Sequence, residues 1–178
     1  CFSKDEFKSP DRREGPVRLV WFSQNISYGR GLEWIFPVLD HYQSELRLTL
    51  IGALNNASYQ EHLINRSYIE TVPPLFQKAL NLSLSQYDVG LALELNDADE
   101  NRQLCLTNKI WAYLQSGLYI LATDTPAQKI FMSEFPSHGR LTGQDQESFK
   151  AALEHIIQHK NEIRAAAQHR YGKAQHVA

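Results

Sequence analysis

YDVGLALELNDADENRQLCLTNKIWAYLQSGLYILATDTP, residues Tyr87 to Pro126, decides the fold. VGLALE (Val89 to Glu94) and YILATD (Tyr119 to Asp124) are nearly unbroken apolar runs, as strands covered on both faces must be. Between them a long polar loop leads into Asn108 to Gln115, whose apolar spacing is helical and which Gly117 closes. Two such strands joined through a single helix imply a right-handed crossover and parallel pairing.

The same alternation extends in both directions. VRLVWFS (Val17 to Ser23) reads as a strand, and after Gly31 the residues Leu32, Ile35, Phe36 and Leu39 fall on one helical face. LRLTLIG (Leu46 to Gly52) is a second strand, Tyr59 to Arg66 a short helix, and YIETV (Tyr68 to Val72) a third strand stopped by Pro73 and Pro74. Leu75 to Leu82 is helical behind it, and Gly139 to Thr142 is a short sixth strand. Phe149, Ala152, Leu153 and Ile156 form one apolar stripe, and a polar, alanine-rich helix runs from Asn161 to the end. That tail has little apolar face to bury, so it is expected to pack on a part of the protein lying outside this sequence. The fold class is therefore α/β, a Rossmann-like parallel sheet of about six strands with helices on both faces and C-terminal helices. Residues 1–16, charged and broken by Pro10, Gly15 and Pro16, read as a linker from an upstream region, residues 17–160 as the domain, and residues 161–178 as a helical tail.

Composition narrows the function classes. The 178 residues are 43% hydrophobic and 21% charged, the make-up of one ordinary globular domain. Eighteen Lys and Arg against 20 Asp and Glu leave a net charge of -2, which gives no electrostatic reason for a nucleic-acid partner. No apolar run approaches the roughly 18 residues that span a bilayer. Cys1 and Cys105 fit neither a disulfide framework nor a zinc site, which points to a reducing, cytoplasmic setting. The acceptor-like triplets at Asn25, Asn56, Asn65 and Asn81 matter only in a secreted chain.

In a sheet of this kind ligands bind beyond the carboxyl ends of the strands. The loop SQNISYGRG (Ser23 to Gly31) offers a flexible backbone at a helix N-terminus with Arg30 beside it, which is a sound anion site. Read alone, it is equally a turn made by Gly29 and Gly31 with a solvated Arg30. It carries neither G-x-G-x-x-G nor the Walker pattern, which disfavours a dehydrogenase-like dinucleotide domain. The second constellation runs from Glu94 to Lys109. Thr107 can cap the helix, whose free N–H groups would meet a diphosphate, with Arg102 or Lys109 supplying full charge. An exposed loop with an ordinary capped helix is the alternative. Trp21, Trp34 and Trp111 read as packing residues rather than sugar platforms, and Tyr28 as a surface aromatic that could stack on a base. His155 and His159, one turn apart, lack a third ligand for a metal.

The succession LVWFSQ, GRGLEWI, LTLIG, YDVGLALE and LTNKIWAYLQSGLYILATDTP, covering roughly residues 17 to 160, resembles the C-terminal domain of group 1 glycosyltransferases of the GT-B fold. Asn108 to Gly117 is its most specific part and Tyr87 to Leu91 the next. The resemblance implies a donor-binding half of an enzyme that transfers a sugar from a nucleotide-diphosphate sugar, with retention of configuration, to an acceptor held by an N-terminal domain outside this chain. It implies no cofactor and no essential metal, and an isolated fragment that is inactive. It places the diphosphate against Gln24, Arg30, Thr107, Asn108, Lys109 and Arg102, a ribose or sugar hydroxyl near Glu94 and Asn101, and the base near Val72 and Pro73. Two departures stand out. Gln24 occupies a place where many members carry Arg, and Ala112 stands where the family has a ribose-binding Glu; Leu104, at the paired position, is not acidic either. The alternative from another class is a non-catalytic Rossmann-like nucleotide-binding or interaction module that has lost the ribose carboxylate.

Overall fold

The computed structural model describes residues 2–11, 14–94 and 106–177. Among these, six strands form one sheet: β1 (Val17–Asn25), β2 (Leu46–Ala53), β3 (Ile69–Val72), β4 (Val89–Ala92), β5 (Tyr119–Thr123) and β6 (Gly139–Thr142). Every pairing is parallel and the order is β3-β2-β1-β4-β5-β6, so the chain starts in the middle and winds outward first one way, then the other. The helices are α1 (Phe36–His41), α2 (Ala57–Ile64), α3 (Gln77–Ser83), α4 (Asn108–Gln115), α5 (Pro126–Glu134), α6 (Gln146–Gln158), α7 (Lys160–Ala165) and α8 (Ala167–Ala174).

Strand periodicity sorts the core into two layers. Leu19 and Trp21 of β1, with Leu48 and Leu50 of β2, face a layer built on α1, α2 and α6, where Leu39, Tyr59 and the stripe Phe149, Leu153 and Ile156 are buried. Val20, Ile120 and Ala122 face the opposite layer, where Ile110, Tyr113 and Leu114 of α4 meet Phe131 and Met132 of α5. Helix α4 packs tightly on the sheet where Tyr113 lies on Gly90. A Cβ at Gly90 would lie 2.4 Å from the ring, and the Tyr113 hydroxyl reaches the Val20 carbonyl at 3.2 Å.

The amino ends of the strands are clamped by charge. Arg164 of α7 pairs in two prongs with Asp88, at 2.7 and 3.0 Å, and also donates to the Pro16 carbonyl at 2.8 Å. Asp88 accepts in addition from the Arg18 backbone N–H at 2.9 Å, which ties β1, β4 and α7 together where the sheet begins.

Both chain ends pack on the domain. Residues 2–11 lie on the domain: Phe7 is buried, Glu6 accepts from Gln77 and Asn81 of α3 at 2.9 and 2.8 Å, and the Asp11 N–H reaches the Ser85 carbonyl at 3.1 Å. The tail, expected as one helix seeking a missing surface, breaks at Ala166 into α7 and α8 and folds back on α4. Arg170, only 3% exposed, is the reason: it donates to the Gly117 carbonyl at 3.0 Å and the Ile163 carbonyl at 2.9 Å, while Gln175 donates to the Gln115 carbonyl at 3.0 Å. Polar side chains hold this tail in place together with two buried apolar residues, Ile163 and Ala174, rather than a continuous apolar stripe. Burial lowers the Arg170 pKa to about 10.

Candidate functional site

A cavity of about 540 Å³ opens beyond the carboxyl ends of β1, β2 and β4. Gln24, Arg30, Glu94, Thr107, Asn108 and Lys109 all line it. The two constellations, more than sixty residues apart at their nearest useful groups in the sequence, thus share one pocket because β1 and β4 are neighbours in the sheet. Arg102 and Asn101 lie outside the described residues. Val72 ends β3 and packs against the second core layer, and Pro73 is exposed; neither lines the cavity, whereas the next two residues, Pro74 and Leu75, do.

The first loop takes its shape from glycine. Gly29 and Gly31 have φ of 73° and 81°, the left-handed region that side chains disfavour, and a Cβ on Gly31 would stand 3.1 Å from the Leu93 Cβ. The loop therefore closes onto the end of β4, and Gly29 N–H is held by the Glu33 carboxylate at 3.0 Å. The β4 end is fixed from β5 and α5: the Glu94 N–H donates to the Thr123 hydroxyl at 2.9 Å, and Gln128 of α5 donates to the Ala92 carbonyl at 2.9 Å.

Helix α4 points its opening turn into the cavity. Thr107 sits at the N-cap with extended dihedrals (φ -74°, ψ 152°), yet its hydroxyl does not bond back to the helix and is buried without a partner. The first N–H groups of a helix have no acceptor within it, so together with the positive end of the dipole they form a ready anion cradle. Lys109 extends into the same space with its side chain 12% exposed, its Nζ 3.8 Å from Glu94 Oε1 and 4.8 Å above the Trp21 ring. Burial pushes the Lys109 ammonium below the ordinary lysine value; Glu94 opposes this, and the Arg30 charge adds to it. Trp21, though a core residue as expected, is thus also a wall of the site, and its indole N–H is buried with no acceptor. Trp34 and Trp111 do only packing, edge-on to Phe149 and Phe131. Tyr28 stands 52% exposed against Tyr59 and does not line the cavity.

The other end of the cavity was not visible in the sequence. Ile51, Leu80, Phe2 and the fully buried Ala112 make it apolar, with Asn81 and Gln77 at its side. Leu80 and Asn81 have helical spacing behind the Pro73-Pro74 stop, a signal that could place them near the sheet's carboxyl edge; nothing in residues 1–16 marks Phe2. Among the described residues no group of His, Cys, Asp or Glu could hold a metal ion, and no helix is long and apolar enough to cross a membrane. The His155 and His159 rings stack on each other at 4.1 Å.

What this arrangement can do chemically is bind a polyanion and stabilise negative charge that develops on it. Glu94 is the one carboxylate lining the cavity among the described residues, and it is committed to Lys109.

No family model matches the chain, and no curated protein matches it by sequence. Solved structures do share its fold. WaaG, a glycosyltransferase involved in lipopolysaccharide biosynthesis, superposes with a TM-score of 0.65 at 15% identity over 92% of this chain and 44% of that one. Anabaena HepE in complex with UDP-glucose gives 0.66 at 13% identity, over 90% of this chain and 44% of that one. Sucrose-phosphate synthase from Thermosynechococcus elongatus gives 0.67 at 12% identity, over 98% and 46% respectively. The chain thus spans less than half the length of each of these three and has the fold of the C-terminal domain of a GT-B glycosyltransferase.

Proposed function

We propose that this chain, sharing the fold of a GT-B half, is the donor-binding part of a glycosyltransferase whose substrate is a nucleotide-diphosphate sugar. The observation that carries the reading is the meeting of Arg30, Lys109 and the open N-terminus of α4 in a single cavity with an apolar far end. A nucleoside diphosphate has the matching polarity, charged at one end and flat and largely apolar at the other. In the transfer, an acceptor hydroxyl oxygen bonds to the anomeric carbon and passes its proton to the departing diphosphate, while the bond from that carbon to the terminal phosphate oxygen breaks. The electron pair leaves with the diphosphate. Arg30, Lys109 and the α4 amides stabilise that leaving charge, and no metal is needed for it. Hexosyl transfer with retention, an acceptor domain N-terminal to this chain, inactivity of the chain alone and a cytoplasmic setting complete the proposal.

Titration calorimetry and thermal shift with UDP, GDP, ADP and their sugar conjugates test it. Heat and a raised melting temperature are expected with at least one nucleotide; neither response at millimolar nucleotide sinks the reading. A second reading, a binding module without transfer, is favoured by Ala112, whose methyl cannot accept a ribose hydroxyl. Ala112→Glu separates the two. In a working donor site the new carboxyl leaves nucleotide affinity unchanged and destabilises the fold by about 2 kcal/mol or more, because the position is fully buried. A clear gain in affinity supports the decayed module instead.

A further inference from the structure

Phe2 reaches the cavity by construction rather than by passing near it. Its backbone N–H donates to the Gln115 side-chain oxygen at 2.8 Å, and its carbonyl accepts from the Gln115 side-chain nitrogen at 2.9 Å. Gln115 itself is only 1% exposed, so a buried amide is spent entirely on fixing this one residue. The segment is pinned again at Glu6, which accepts from Gln77 and Asn81, and at the buried Phe7, whose ring stands 6.2 Å from that of Phe2. Gln77 and Asn81 also line the cavity, so the same contacts join the α3 wall to the N-terminal segment.

Helix α4 sets the distance between the two ends of the site. Lys109 stands at its opening and Gln115 at its last residue; six residues at 1.5 Å each separate them by roughly 9 Å along the axis. A nucleoside extending along α4 from a diphosphate at its amides would meet Phe2, Leu80 and Ala112, which line the cavity. Small side chains such as Ala112 leave room there, and Phe2 supplies a flat ring.

We propose, resting on the donor-site reading above, that Phe2 is a specificity-determining residue of this cavity: its ring is the surface against which the nucleobase of the nucleoside diphosphate packs. The N-terminal segment is accordingly part of the binding site, and Gln115 is the positioning residue that holds it.

Calorimetry with UDP, ADP and inorganic pyrophosphate on the protein and its Phe2→Ala, Phe2→Leu and Phe2→Tyr variants tests this. Base stacking on an aromatic side chain leads to an expected loss of about tenfold or more in UDP or ADP affinity for Phe2→Ala and Phe2→Leu, with pyrophosphate affinity held within about twofold. Phe2→Tyr, which keeps the ring, retains nucleotide binding. Phe2→Leu preserves apolar volume, so it guards against a loss caused by unfolding, and melting temperatures are read alongside. Unchanged nucleotide affinity in Phe2→Ala and Phe2→Leu overturns the inference while leaving the donor site standing. An equal fall for pyrophosphate also overturns it. Absence of binding by any of the three probes to the unsubstituted protein overturns the donor-site reading and this one with it.

Discussion

Lys109 is the residue on which the charge of the site turns. Its ammonium is buried beside Arg30 and over Trp21, and its one counter-charge among the described residues is Glu94. Burial makes the charged form costly, so the amine gives up its proton at lower pH than the ordinary 10.5. The sign follows directly: the protonated form, which attracts a diphosphate, dominates below the lowered pKa and is lost as pH rises through it. Nucleotide affinity measured by calorimetry between pH 7 and 10 is expected to decline on the alkaline side. Lys109→Arg, which stays charged throughout, is expected to flatten that decline, and Lys109→Met to weaken binding at every pH by about tenfold or more.

Elements show why some of the molecule could be read from its sequence and some could not. Strands such as VRLVWFS and LTLIG are legible because both faces are covered, and only continuous apolar runs satisfy that. Helix α4 spans Asn108–Gln115 as its spacing predicts, with Gly117 at φ 72° ending it. Helix α1 starts at Phe36 rather than just after Gly31, since Pro37 fits only the first turn of a helix; Leu32 and Ile35 are still fully buried, so the apolar pattern was informative and the boundary was not. Helix α5 carried a readable signal in Thr125-Pro126, a capping hydroxyl followed by proline at the first helical position, with Phe131 and Met132 on its buried face. Of the residues that line the cavity, Arg30, Glu94, Thr107 and Lys109 were singled out from strand ends and a helix start, and Gln24 and Asn108 only through the resemblance. Phe2 was not, because a side-chain amide on α4 recruits it, and no periodicity in a short polar segment foretells such a contact. Packing of α4 on the sheet yields a prediction of its own. Gly90→Ala would press a methyl into the Tyr113 ring and is expected to lower stability by about 2 kcal/mol in chemical denaturation, with a companion Tyr113→Leu recovering part of it.

For the molecule as a whole, acid stability is governed in part by how the C-terminal helices are seated. His138 is 3% exposed beneath α8, with one ring nitrogen 3.4 Å from the Arg170 carbonyl. Burial lowers its pKa from 6.5; the Arg170 carbonyl opposes this, and the charges of Arg170, Lys173 and His169 reinforce it. The unfolded chain then binds a proton more readily than the folded one. Stability is complete above pH 6.5 and falls as pH drops through that value toward the lowered folded pKa. Thermal melts from pH 7.5 to 5 are expected to show this fall, and His138→Gln to remove much of it. The seating of the tail bears on motion as well. Helix α4 is tied at its far end by Arg170, Gln175 and Phe2 and carries the anion cradle at its near end. Swinging that helix alone would break three anchorages at once, so the same contacts that seat the tail also hold the cradle rigid.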